Sequence, residues 1–127
     1  MPNEMTYARA GRIYNKTVTI ADSASQPTDG VDLGDETLCG VIVPSTWSTA
    51  AISFLAATTL TGTYYPLYSA SGAEVVTGSI TGGTAVWVAL DPADFAGVRY
   101  LKVRSGTSAA AVNQSGGDTL TLVTRAV

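Results

Sequence analysis

Along most of this chain apolar and polar residues alternate with a period of two, in runs too short for anything but strands. The clearest run closes the chain, where residues 118–125 place Leu120 and Leu122 on one face. Residues 12–20 alternate likewise, with Tyr14, Val18 and Ile20 sharing a parity that Lys16 interrupts. Between these two, residues 37–43 read as a buried strand ending at Pro44, and residues 31–33 as a short edge strand. Residues 50–57 carry Ile52, Phe54 and Ala56 on one face. Residues 63–69 hold Tyr64, Tyr65 and Tyr68 around Pro66, whose missing N–H favours an edge position or a bulge. After the Ala70-Ser-Gly turn come residues 73–77, and then residues 84–90, where Val86 and Val88 oppose Ala85, Trp87 and Ala89.

The most organised stretch is residues 91–107, DPADFAGVRYLKVRSGT. It opens on an Asp-Pro turn signal, continues with one helical turn closed by glycine, and runs into a strand. Strand alternation puts Arg99, Leu101 and Val103 on one side, and Tyr100 and Lys102, followed by Arg104, on the other. Residues 21–30 and 105–117 are loops by composition, the second long and rich in small residues. Trp47, just before a buried strand, and Trp87, within one, suit the filling of a core. Tyr64 and Tyr65 are adjacent, so at least one of them faces outward.

Eight or nine short strands at spacings of about 8–15 residues, with no helix beyond a turn, define an all-β protein. The expected architecture is a two-sheet antiparallel β-sandwich, with a jelly roll as its expected member. Residues 1–12 lack a periodic pattern and read as an N-terminal arm; residues 13–127 form the sandwich domain. A chain of 127 residues suffices for one domain that folds without covalent staples.

Composition narrows the chemistry. Charged residues make up 13% of the chain, about half the usual share, and Thr, Ser, Ala and Gly take their place. Histidine is missing altogether, which removes the commonest general base and metal ligand. Cys39, the single cysteine, sits in an apolar run where a buried, inert thiol is expected. The glycine pairs at Gly82 and Gly116 have no phosphate-loop lysine, and no serine is followed three residues on by lysine. The acidic run Asp29, Asp32, Asp35, Glu36 could offer oxygens to a hard cation, but its spacing is not that of a calcium loop, and a solvated loop is the stronger reading. The expectation is therefore no enzyme, no metal and no cofactor.

Charge is distributed by segment. Residues 1–20 set Arg9, Arg12 and Lys16 against Glu4, and residues 21–96 hold eight carboxylates with no lysine or arginine. Residues 97–127 set Arg99, Lys102, Arg104 and Arg125 against Asp118. The net charge of −3 argues against nucleic acid as a main partner, while the basic ends could pair with the acidic middle within a chain or between subunits. No apolar run approaches the ~20 residues a membrane-spanning helix needs, and residues 1–12 lack the apolar core of a secretion signal. Synthesis in a cytosol, with no membrane partner, is expected.

The pieces LCGVIVPSTWSTAAISFLA, GTYYPLYSASGAEV, LDPADFAGVRYLKVRSGTSAAAVNQ and DTLTLVTRAV, in that order, carry a resemblance over residues 31–125. With the turn at Pro44 and Trp47, the run from Phe95 through Arg99 and Tyr100, and Ser105-Gly-Thr before Gln114, the chain resembles a small structural protein of tailed bacteriophages. Such proteins are similar to head decoration (cement) proteins and to head-fibre or spike bases. That resemblance implies a β-sandwich or jelly-roll subunit, often trimeric, seated on the major capsid protein at the surface of a virion assembled in the bacterial cytoplasm. Tyr7, Arg9, Arg12, Arg99 and Arg104 are the residues expected to contact capsid or neighbouring subunits. Residues 95–104 also resemble the last core strands of galactose-binding-like jelly rolls, but the ligand residues of that superfamily find no match here. Two other roles stay open: a carbohydrate-binding sandwich exposing Tyr64, Tyr65 or Tyr68 for attachment to a host surface, and a tail or neck subunit.

Overall fold

The computed structural model describes residues 12–126. Eight strands follow in chain order: β1 Ile13–Ile20, β2 Val31–Asp32, β3 Glu36–Val43, β4 Ile52–Ala57, β5 Tyr65–Pro66, β6 Val86–Ala89, β7 Tyr100–Ser105 and β8 Asp118–Ala126. They form two four-stranded sheets, ordered β1-β8-β3-β6 and β2-β7-β4-β5, in which every pairing of strands is antiparallel. The pairing is nested: β1 lies against β8, β2 against β7, β3 against β6 and β4 against β5. Nesting of this kind is the order a jelly-roll winding requires. The expected two-sheet sandwich is the observed architecture.

The core is the set of inward residues from both sheets. Val18 and Ile20 of β1, Leu38, Val41 and Val43 of β3, and Leu120 and Leu122 of β8 face Ile52 and Phe54 of β4 and Leu101 and Val103 of β7. The turn before β7 contributes as well. Asp91 accepts a hydrogen bond from the Ala93 N–H at 3.0 Å and caps a single 3-10 turn, Pro92–Phe95. That turn drives Phe95 into the core, edge-on to Phe54 with ring centroids 4.9 Å apart. Trp47 is buried as expected, its indole N–H donating to the Ala50 carbonyl at 3.1 Å.

Several expectations are corrected. Trp87 is 62% exposed: β6 is an edge strand, and its indole nitrogen lies over Gly40 of the neighbouring β3, on the outer side of the sheet. A side chain at Gly40 would occupy the place of that ring. The strand expected over residues 63–69 shrinks to Tyr65–Pro66, and residues 73–77 form isolated bridges, Tyr68 with Glu74 and Ser53 with Val76, in place of a strand. Cys39 is half-buried and not enclosed; it sits where the β3–β8 register shifts, and its thiol donates to the Val123 carbonyl at 3.3 Å. Arg99 precedes β7 and is exposed, so it does not share the buried side with Leu101 and Val103.

One end of the sandwich is tied together by Gln114, which is fully buried in the long loop between β7 and β8. Its side-chain amide donates to the Ser105 hydroxyl at 2.7 Å and the Ser48 carbonyl at 3.0 Å, and its carbonyl accepts from the Ser48 N–H at 2.7 Å. Its backbone N–H donates to the Ala24 carbonyl and its own carbonyl accepts from the Ser23 N–H. Three loops are thereby held by one side chain and its backbone, since a buried amide demands all of its partners.

The Phe54–Phe95 contact fixes how the capped turn sits on the core. Phe95→Ala is expected to lower unfolding stability by about 3–5 kcal/mol through lost burial and the cavity left behind. Equilibrium denaturation monitored by tryptophan fluorescence measures it; a loss below about 1 kcal/mol would mean that the turn is not part of the cooperative core.

Candidate functional site

Alternation along β7 sends Tyr100, Lys102 and Arg104 to the outer face of the second sheet, opposite Ala57, Leu55 and Ser53 of β4. Leu101 and Val103 hold that parity, because both are buried between the sheets. The two cations meet different surroundings. Arg104 is almost enclosed: its Nε donates to the Ser53 hydroxyl at 3.0 Å and its Nη2 to Glu74 at 2.8 Å, with side chains 10% and 14% exposed. Glu74 also accepts from the Ser108 N–H at 3.0 Å, so the same carboxylate anchors the loop after β7.

Lys102 has no carboxylate partner among the described residues; its ammonium lies 4.8 Å from the centroid of the Tyr64 ring. Tyr64 is fixed by donating its hydroxyl to the Leu60 carbonyl at 2.7 Å. Gly30 permits that placement, since a Cβ there would collide with the phenol. Burial first, then the neighbouring Tyr100 and Asp29, push the Tyr64 phenol above its ordinary value, so it remains a neutral group. Around Lys102 and Tyr64 the loops at residues 28–30 and 60–62 raise the walls of an open bowl of about 480 Å³.

At the rim of the same face Arg99 and Asp32 form a two-point ion pair, Nε to Oδ1 at 2.9 Å and Nη2 to Oδ2 at 3.2 Å. The Arg99 hydrogen bonds, then the Gly34 N–H at 2.8 Å, hold the Asp32 carboxyl below its ordinary value. The acidic run therefore disperses. Asp32 goes to Arg99, while Glu36 accepts from the Thr124 hydroxyl at 2.5 Å and stands 3.7 Å from Lys16. Among the described residues no group of three or more carboxylates or thiols converges as a metal site would need.

Of the five residues expected to contact a partner, Tyr7 and Arg9 lie outside the described residues. Arg12 is exposed beside β1, its carbonyl accepting from the Ala126 N–H at 3.0 Å. Arg99 is exposed but paired with Asp32, and Arg104, although on the outer face, is enclosed and committed to Ser53 and Glu74. The structure does not gather the three: Arg12 adjoins the first sheet, Arg104 belongs to the second and Arg99 lies just before it. Among the tyrosines, Tyr65 and Tyr68 are exposed and Tyr64 is half-buried. Sequence reasoning missed the bowl. Its only linear trace is the parity that puts Lys102 with Tyr100 and Arg104, because Asp29 and Tyr64 reach it from remote loops.

No family model and no curated protein matches the chain. Among solved structures, the fold is similar to that of the SPBc2 prophage-derived protein YomS, with a TM-score of 0.51 and 14% identity over 91% of this chain and 96% of that one. At that identity the likeness establishes a shared fold. No helix among the described residues is long and apolar enough to cross a membrane.

Two outcomes follow. Arg104→Met alone leaves Glu74 buried without its cation and is expected to cost about 3–5 kcal/mol, whereas Arg104→Met combined with Glu74→Leu recovers most of the loss; a double-mutant cycle by denaturation measures both. Arg99→Ala is expected to return the Asp32 pKa towards its ordinary value, as followed by NMR titration. Because the folded pKa is the lower one, the pair's contribution is present above the unfolded value and fades as pH falls through the folded one. Exposure and salt keep that contribution small.

Proposed function

We propose that this chain is a non-enzymatic structural protein of a tailed-phage particle: a decoration subunit that seats on the head, contacts the major capsid protein and stiffens the shell, self-associating as a trimer. The observation that carries the reading is the fold shared with a prophage-derived protein across nearly the whole of both chains. The order of motifs in the sequence supports the same origin.

Physical features support the role. A sparsely charged surface of small hydroxyl-bearing residues lets subunits pack closely with little desolvation of charge. Edge strand β6 carries the exposed Trp87, an aromatic of the kind that anchors interfaces. A chain without histidine, whose buried Arg104 is spent on Glu74, suits binding more than turnover. Residues 2–11 would add contact area as an arm.

The purified chain is expected to co-sediment with capsids of its own phage and to raise their thermal stability, and removal of residues 2–11 to lower occupancy. Differential sedimentation with particle calorimetry reads both. Undiminished occupancy and shell stability in the truncated form would remove the arm from the reading, and failure of the full chain to bind capsids would remove the decoration role. Imaging of intact particles separates a head position from a tail or neck position.

A further inference from the structure

The bowl on the outer face of the second sheet is built from polar groups whose hydrogen-bonding capacity is unspent. Lys102 brings three N–H donors, and among the described residues its contact is the Tyr64 ring, not an acceptor. Asp29 lines the same bowl and makes no ion pair or side-chain hydrogen bond with the described residues, so its two oxygens are open acceptors. Thr28 and Thr61 add hydroxyls that act in either sense. Three other cations find carboxylates within the chain, Arg104 in Glu74, Arg99 in Asp32 and Lys16 in Glu36, while Arg125 is exposed to solvent. Lys102 departs from that pattern, although it is half-buried on a central strand.

The form of the bowl is set by the chain itself. Its volume of about 480 Å³ falls within the range of small-molecule sites. Tyr64 is pinned by Leu60 and fits only because residue 30 is glycine, so the wall is preformed. A half-buried ammonium without a counter-ion favours an anionic group, since a charged hydrogen bond there is stronger than one in open water. Asp29, in the same bowl, argues against a polyanion and for a ligand that also presents several hydroxyl donors.

We infer that this bowl binds a saccharide bearing a carboxylate, a uronic-acid unit, with the carboxylate on Lys102 and ring hydroxyls on Asp29, Thr28 and Thr61. This site is separate from the shell-binding reading and stands or falls without it. A decoration subunit carrying it would hold acidic glycan at the particle surface.

The test is calorimetric titration of the full chain with methyl galacturonide, the neutral methyl galactoside and acetate. The uronate is expected to bind saturably, with the other two at least tenfold weaker. Lys102→Met is expected to weaken uronate binding at least tenfold with an unchanged melting transition, and Gly30→Ala, which displaces Tyr64, to weaken it as well. Tyr65→Ala, on the exposed edge strand, leaves it intact. The inference is overturned if the uronate gives no saturable binding, if acetate or the neutral sugar binds as well, or if Lys102→Met binds like the parent. Should Lys102→Met not fold, amide shift mapping on the parent chain decides: shifts centred on residues 28–30, 60–64 and 102 support the site, and shifts elsewhere overturn it.

Discussion

Two cations two residues apart on a central strand must leave the sheet on the same face, and this constraint shapes the second sheet. Leu101 and Val103 are locked between the sheets, so Lys102 and Arg104 have no other direction to take. A one-residue slip of β7 would bury both charges and expose both aliphatics. The sheet accommodates Arg104 by bringing Glu74 across from the segment after β5, which also holds the loop at Ser108. Lys102 receives an aromatic ring in place of a carboxylate. Around that difference the outer face divides into a closed polar cluster and an open bowl.

The ends of the sandwich are settled by backbone demands, not by apolar burial. Gln114 reaches Ser48, Ser105, Ser23 and Ala24, drawing three connections into one hydrogen-bonded knot. Gly106 turns the chain at φ +91° beneath the Ala110 carbonyl, where a side chain would meet backbone at once. Gly116 follows the knot, its N–H donating to Asp22 at 2.7 Å. A loop rich in small residues thereby becomes ordered, because small side chains let backbone segments approach closely enough to satisfy each other. Such an end holds its shape without many charges, in keeping with a domain proposed to act by fitting against other proteins.

The edges of the sheets bear on the proposed role. β6 is four residues long and among the described residues leaves its far side unpaired, while β5 at the edge of the other sheet is shortened by Pro66. A proline edge discourages strand addition, so the two sheets do not offer equivalent borders. In the proposed role the apolar edge with Trp87 is the border that meets a neighbour, and the bowl lies on the other sheet. A subunit could therefore engage a shell with one sheet and keep the other free for ligand.

Alternation alone determined the class of fold and most of the core. Leu120, Leu122, Val18, Ile20, Phe54, Leu101 and Val103 are where a period of two places them, and Asp91-Pro marked the turn that delivers Phe95. These are local signals: a strand's faces follow from its own sequence, and a capped turn from four residues. Trp87 escaped that logic because its parity was legible but its sheet position was not. On an edge strand, the face away from the core meets solvent, and only pairing with β3 established which face that was. Arg104 and Lys102 were indistinguishable in sequence, sharing strand, face and charge. Tertiary structure alone separated them, because the groups that answer them, Glu74 for one and Tyr64 for the other, come from segments about 30 and 40 residues away whose approach depends on the winding of both sheets.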